Sequence, residues 1–253
     1  MNISGELSEV SSYGGFFALT VDGGMAGWHP VGQSYADGFA DLIDATVRRY
    51  RTPELRIGAS LVHLGHAARL WSPVLACVLG HGVIPDLTGL QRADDGTRLR
   101  LPEPVGEPVS SPAAELLYRV VVQHHMEPLE AGLRVKLAPG LLSGNIASAL
   151  VGASRTLVSA RPDLLQPVVG VTNSLLDAGR LAGSGRSSGK PTVEAACAAV
   201  TVRACCARAP AALSGVVAPV TEVVWRVPRL LSELIAFTMS PCDCGVISIA
   251  CTC

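Results

Sequence analysis

Apolar side chains recur three and four residues apart over much of this chain, a spacing that predicts helices before anything else. Phe39, Leu42, Ile43, Thr46, Val47 and Tyr50 mark one helix, and Pro53 follows its expected end. Leu55 to Leu70 predicts the next, with Ala67, Ala68 and Leu70 turned toward a core. Ser72 and Pro73 then read as the cap and first turn of a separate helix, because proline lacks only an N–H that would be unpaired there. That helix, Pro73 to about Gly80, is apolar nearly all round and should be buried on most sides. Ser111, Pro112 and Glu115 repeat the start signal and predict a helix through Tyr118, Val121 and Val122 to His124, resuming from His125 to Leu137 after a kink at Pro128. In Leu141 to Ala160, the residues Leu142, Ile146, Ala149, Leu150 and Leu157 supply burial. Gly144, Ser148 and Gly152 form a small-residue stripe that would admit a close neighbouring helix. Residues 163 to 181 predict a last, less sharply patterned helix.

Between these stretches the pattern changes. Residues 1 to 13 read as poorly ordered. Phe16 to Val21, the turn Asp22-Gly23-Gly24 and Met25 to Trp28 predict a short hairpin. Gly32 to Asp37 reads as a connector, and residues 88 to 112 as a long loop with one edge strand near Thr97 to Leu101, bounded by prolines. The run GSGRSSGKP at 183 to 191 is the clearest linker, with a boundary near residue 185. The expected fold is mainly α: an α+β chain with a small N-terminal β-hairpin, a compact multi-helix core over 14–183, and a linker with a divergent cysteine-rich tail over 184–253.

Composition narrows the function. A net charge of −1, with 16% charged and 4% aromatic residues, gives no footing for a nucleic-acid partner. No run of eighteen uncharged apolar residues occurs, so no transmembrane segment is expected. The first fifteen residues lack the basic and apolar regions of a secretory signal, which makes a cytoplasmic location the default. Cys77 sits alone in an apolar stretch as a small hydrophobe. The other seven cysteines, Cys197, Cys205, Cys206, Cys242, Cys244, Cys251 and Cys253, crowd into the tail, and in a reducing compartment such crowding points to metal or redox chemistry.

Several polar residues interrupt apolar surroundings. Arg69 and Trp71 stand at the expected corner before Pro73; a desolvated guanidinium there needs an anionic partner, unless its head reaches water. His124, His125 and Glu127 share a short stretch that could line a cleft, while one histidine and one carboxylate are too few for a closed metal site. Asn145, in an apolar helix, must satisfy its amide by tying two helices together or by facing a ligand. His63 and His66 share a helix face without a metal-ligand spacing around them.

Three segments, GGFFALTVDGGMAGWHP (14–30), GASLVHLGHAARLWSPVLACVLGHGVIPDL (58–87) and HHMEPLEAGLRVKLAPGLLSGNIASALVGA (124–153), together resemble the actinobacterial branch of the FhuF-like ferric iron reductases, or siderophore-iron reductases. The resemblance covers about residues 14–183. It implies a cytoplasmic protein, in transient proximity to a membrane or a transporter, that carries a [2Fe–2S] cluster in its C-terminal part. It also implies that the protein passes one electron from an unidentified donor to Fe(III) in a ferric siderophore, releasing Fe(II). Arg69, Trp71, His125, Glu127 and Asn145 are the cleft candidates it suggests, and Cys205 and Cys206 the metal ligands, with Cys242 and Cys244 as weaker ones. The family's cluster motif continues ten residues after the double cysteine with Cys-x-x-Cys, whereas this chain has Gly215, Val216 and Val217 there. Four thiolates hold such a cluster, so a rival expectation is a noncatalytic helical siderophore-binding protein that has lost the complete cluster. Structural zinc on the terminal cysteines is a third.

Overall fold

Two 22-residue helices, α4 (Leu55–Ala76) and α7 (Pro139–Ala160), pack on each other and carry the core. They belong to a computed structural model that describes residues 1–21, 24 and 26–184, with the backbone of 185–187 and 200–202. Ahead of α4 come α1 (Ser4–Ser11), α2 (Val31–Ala36) and α3 (Ala40–Tyr50). Between α4 and α7 lie α5 (Ala113–Leu117) and α6 (Glu127–Gly132), and α8 (Leu165–Leu176) follows. The domain is mainly helical with a small β region, the expected α+β class.

α4 does not break at Ser72–Pro73. It runs through Pro73, and the Ser72 hydroxyl donates to the Ala68 carbonyl at 2.8 Å. The proline leaves one helical carbonyl without its usual donor, but Trp71, Ser72, Pro73, Val74 and Leu75 are all buried, so packing on every side outweighs that loss. A π-helical turn, Cys77–His81, ends the rod, and Gly82 at φ +67° closes it in the left-handed conformation that glycine adopts freely.

The strand pairing also differs from expectation. β1 (Leu19–Thr20) and β2 (Trp28–Pro30) do not pair with each other. β1 runs parallel to β5 (Leu99–Arg100), β2 runs antiparallel to β4 (Gln91–Ala93), and β4 pairs with β5, giving the order β1-β5-β4-β2. The stretch read as a loop with one edge strand near Thr97 to Leu101 thus supplies both inner strands, β5 at that place and β4 ahead of it, turning at Gly96 (φ +67°). Arg92 there is buried: its guanidinium donates to Ser34 Oγ at 2.8 Å and pairs with Asp41 at 2.6 Å. A second pair, β3 (Val83–Pro85) with β6 (Gly106–Pro108), is antiparallel. The N-terminus, expected to be poorly ordered, forms α1, and Ile3, Leu7 and Val10 enter the core.

α7 is long and apolar enough to cross a membrane, and 61% of its apolar window is buried within the domain. Of the small-residue stripe, Gly144 is buried, Ser148 is half-buried and Gly152 is exposed with open space beside it. The linker stretch carries β7 (Gly185–Ser187), antiparallel to β8 (Val200–Val202). The rest of that linker, the tail and Cys197, Cys205, Cys206, Cys242, Cys244, Cys251 and Cys253 lie outside the described residues.

Candidate functional site

The helix opened by Pro112 is continuous through Gly132 but changes winding. After α5 it widens into a π-helix over Tyr118–Met126 and tightens again as α6. Pro128 follows just after the change. A proline has no N–H for the carbonyl one turn back, and the helix remains continuous there, with the wider winding directly upstream. π-helical stretches inside α-helices recur at functional sites because they re-aim side chains. Here the stretch carries His124 and His125 on its last turn.

These side chains face a cleft of about 1040 Å³ between α2, residues 84–90 and the helix 113–132. Its walls include Val31, Ile84, Leu87, Leu90, Leu116 and Val120, and its polar groups are Tyr35, Asp86, Glu107, Arg119, His124 and His125. The α2 wall is fixed by backbone proximity: a Cβ on Gly132 would collide with the Tyr35 carbonyl, and one on Gly38 (φ +62°) with the Gly132 carbonyl. Only glycine at both places lets α2 and α6 approach so closely.

Tyr35, His66 and His125 form a buried polar cluster at the base of the cleft. The Tyr35 hydroxyl lies 2.7 Å from His66 Nε2 and 2.9 Å from His125 Nδ1, with the two imidazoles edge-on to the phenol. Burial holds His66 well below the usual histidine range, with the nearby histidines and arginines acting the same way; it lowers His125 to about 4, with a further push from His124. Burial likewise raises the Tyr35 phenol well above its ordinary value. All three groups are therefore neutral at neutral pH. On the rim, Asp86 accepts the backbone N–H and the hydroxyl of Thr88 at 2.9 and 2.6 Å, and these bonds keep its carboxyl below the ordinary aspartate value. Arg119 pairs with Glu115 at 3.1 Å.

Of the five residues suggested for the cleft, His125 alone lines it. Arg69 donates to the Thr97 carbonyl and the Gly65 carbonyl, both at 2.7 Å, and stacks 4.8 Å from the Phe16 ring centroid, joining α4 to the sheet. Burial lowers it to about 10, against the pull of Asp95, which leaves it cationic. Trp71 is fully buried and its Nε1 has no hydrogen-bond partner among the described residues. Glu127 is exposed. Asn145 ties α7 to α4: its amide donates to Ser60 O at 3.2 Å and Ser60 Oγ at 3.1 Å, and reaches His63 Nδ1 at 3.5 Å. His63 Nε2 in turn donates to Glu130 at 3.0 Å, and Glu130 pairs with Arg180 at 2.5 Å. These two polar clusters sort the candidates into helix ties and cleft.

The sequence reading missed Tyr35, Asp86 and Glu107, and it marked His66 only as sharing a helix face with His63. Val31, Ser34 and Tyr35, spaced three and four apart just before Gly38, were the signal that the supposed connector was a helix with a buried face.

The reductase expectation is corrected at this point. Among the described residues no group of three or more His, Cys, Asp or Glu side chains could hold a metal ion. Cys77, the one cysteine described, is a buried thiol that burial pushes up to about 12, far from the thiolate a cluster requires. The described residues therefore offer no [2Fe–2S] site and no centre for iron–sulfur electron transfer, which corrects the iron-reductase expectation for this domain. Cys205, Cys206, Cys242 and Cys244 lie outside the described residues. Comparison with protein-family models, curated proteins and solved structures gives no match, so the resemblance to siderophore-iron reductases rests on the three sequence segments alone.

Proposed function

We propose that the helical domain is a noncatalytic binding protein that holds a ferric siderophore in the cleft between α2, residues 84–90 and the 113–132 helix. The observation that carries this reading is the cleft: about 1040 Å³, at the upper end of small-molecule sites, where a bulky chelate fits better than a small metabolite. Its composition also suits binding. Apolar walls provide the contact area, and a few convergent polar groups, His125 foremost, fix orientation. The chelate supplies every ligand to its own iron, so the protein need supply none; the iron enters and leaves as Fe(III).

Calorimetric titration with a ferric hydroxamate chelate tests the proposal. Saturable binding is expected. Gly32→Phe should abolish it: Gly32 lines the cleft and a Cβ there meets no heavy atom within 4 Å, so the backbone has room for a side chain and circular dichroism should show the fold unchanged. Binding that survives this substitution, or no binding at about millimolar chelate, would overturn the proposal.

A further inference from the structure

The cluster at the base of the cleft has a proton count that restricts what it can present to a ligand. A phenol has one proton to give, and Tyr35 touches two neutral imidazoles. It donates to one, and the other donates to it. The contact lengths favour one of the two arrangements. O–H donors sit nearer their acceptors than N–H donors, about 2.7–2.8 Å against about 2.9–3.0 Å. The 2.7 Å contact to His66 Nε2 fits the phenol as donor, and the 2.9 Å contact from His125 Nδ1 fits the imidazole as donor. His125 then carries its proton on Nδ1 and a lone pair on Nε2. That second nitrogen makes no hydrogen bond to a described residue, on a side chain only 9% exposed whose ring lines the cleft.

We infer that the cleft selects ligands bearing a hydrogen-bond donor, an ammonium above all, which His125 Nε2 accepts while Tyr35 and His66 hold the accepting tautomer in place. The inference rests on the cleft being a ligand site. The rim agrees with it: Asp86 and Glu107 add acceptor oxygens, whereas the cation among the lining residues, Arg119, already pairs with Glu115. A donor placed in this cleft therefore meets acceptors, and an anion meets carboxylates. Tyr35 acts as a positioning residue: it touches His125 and sets which face of the imidazole is basic.

Two measurements on the full chain test this. Nitrogen-15 spectra of the free protein should show His125 Nδ1 protonated and Nε2 unprotonated at neutral pH. Tyr35→Phe, which keeps the ring and removes the hydroxyl, should move both nitrogens toward a tautomer mixture. A protonated Nε2 in the wild-type protein overturns the assignment whatever binds. Calorimetry with ferrioxamine B, which carries a free ammonium, and with its N-acetyl derivative, which is neutral there, then reads selectivity. The cationic chelate should bind about tenfold more tightly, the worth of one charge-assisted hydrogen bond, and His125→Ala should erase the difference. Equal affinities with Nε2 unprotonated would overturn the selectivity and leave the binding reading standing, whereas binding of neither chelate would overturn both.

Discussion

His125 and His66 are neutral because they are buried, and that has a consequence for stability. Their folded values lie below the unfolded imidazole's, near 6.5, with His125 at about 4. The unfolded chain therefore takes up protons first as pH falls. Their contribution is complete above about pH 6.5 and is lost as pH falls from there toward 4. For His125 alone the interval corresponds to about 3 kcal/mol, and His66 adds in the same direction. Urea unfolding at successive pH values should show this decline, and His125→Asn should flatten part of it; a midpoint constant from pH 7 to 4.5 would contradict the burial argument. At Gly132 the constraint is steric. Gly132→Ala sets a methyl against the Tyr35 carbonyl and should cost about 3 kcal/mol or more, because backbone on both sides must move. The mutant's thermal midpoint checks this. Sequence alone marked His125 as a polar interruption in an apolar pattern, but Tyr35 was hidden, since nothing local distinguishes a phenol bridging two histidines from one on a surface turn.

Among the elements, helices were legible and strand partners were not. The periodicity of 55–70 and 141–160 marked the two central helices, because each must bury a face and repeats apolar residues to do so. The same signals misplaced a break at Pro73, where tertiary burial overrides a local preference. β1 and β2 were read as strands, yet their partners lie far along the chain, at Leu99–Arg100 and Gln91–Ala93, and short strands carry no record of distant pairing. β5 lies where an edge strand was expected but is an inner one, and β4 escaped notice because Arg92 is buried, which reverses the usual inside-apolar pattern. The tie between α4 and α7 is testable in the same terms. Asn145→Ala removes the side-chain donor to the carbonyl and hydroxyl of half-buried Ser60, a loss of about 1 kcal/mol. Asn145→Leu should be no better, since Ser60 still loses that donor. A denaturation midpoint unchanged by either would show that packing alone joins the helices.

At the scale of the molecule, the chain resolves into a helical domain with a single-sided cleft built where three elements meet: a short helix pinned by Gly38 and Gly132, the 84–90 segment, and a helix widened over Tyr118–Met126. None of that meeting could be read from composition, because it depends on a backbone approach set by two glycines distant in sequence. The resemblance to siderophore-iron reductases suggested the ligand class, and the described residues hold no cluster site that would make this domain a reductase. What stands is a binding account centred on the cleft. The most direct test is amide chemical-shift mapping during titration with a gallium hydroxamate chelate, the diamagnetic counterpart of the ferric form. The account predicts saturable shifts concentrated in residues 31–36, 84–90 and 116–132, with little change along the far side of α7 and α8. Shifts centred elsewhere, or none at saturating chelate, would contradict it.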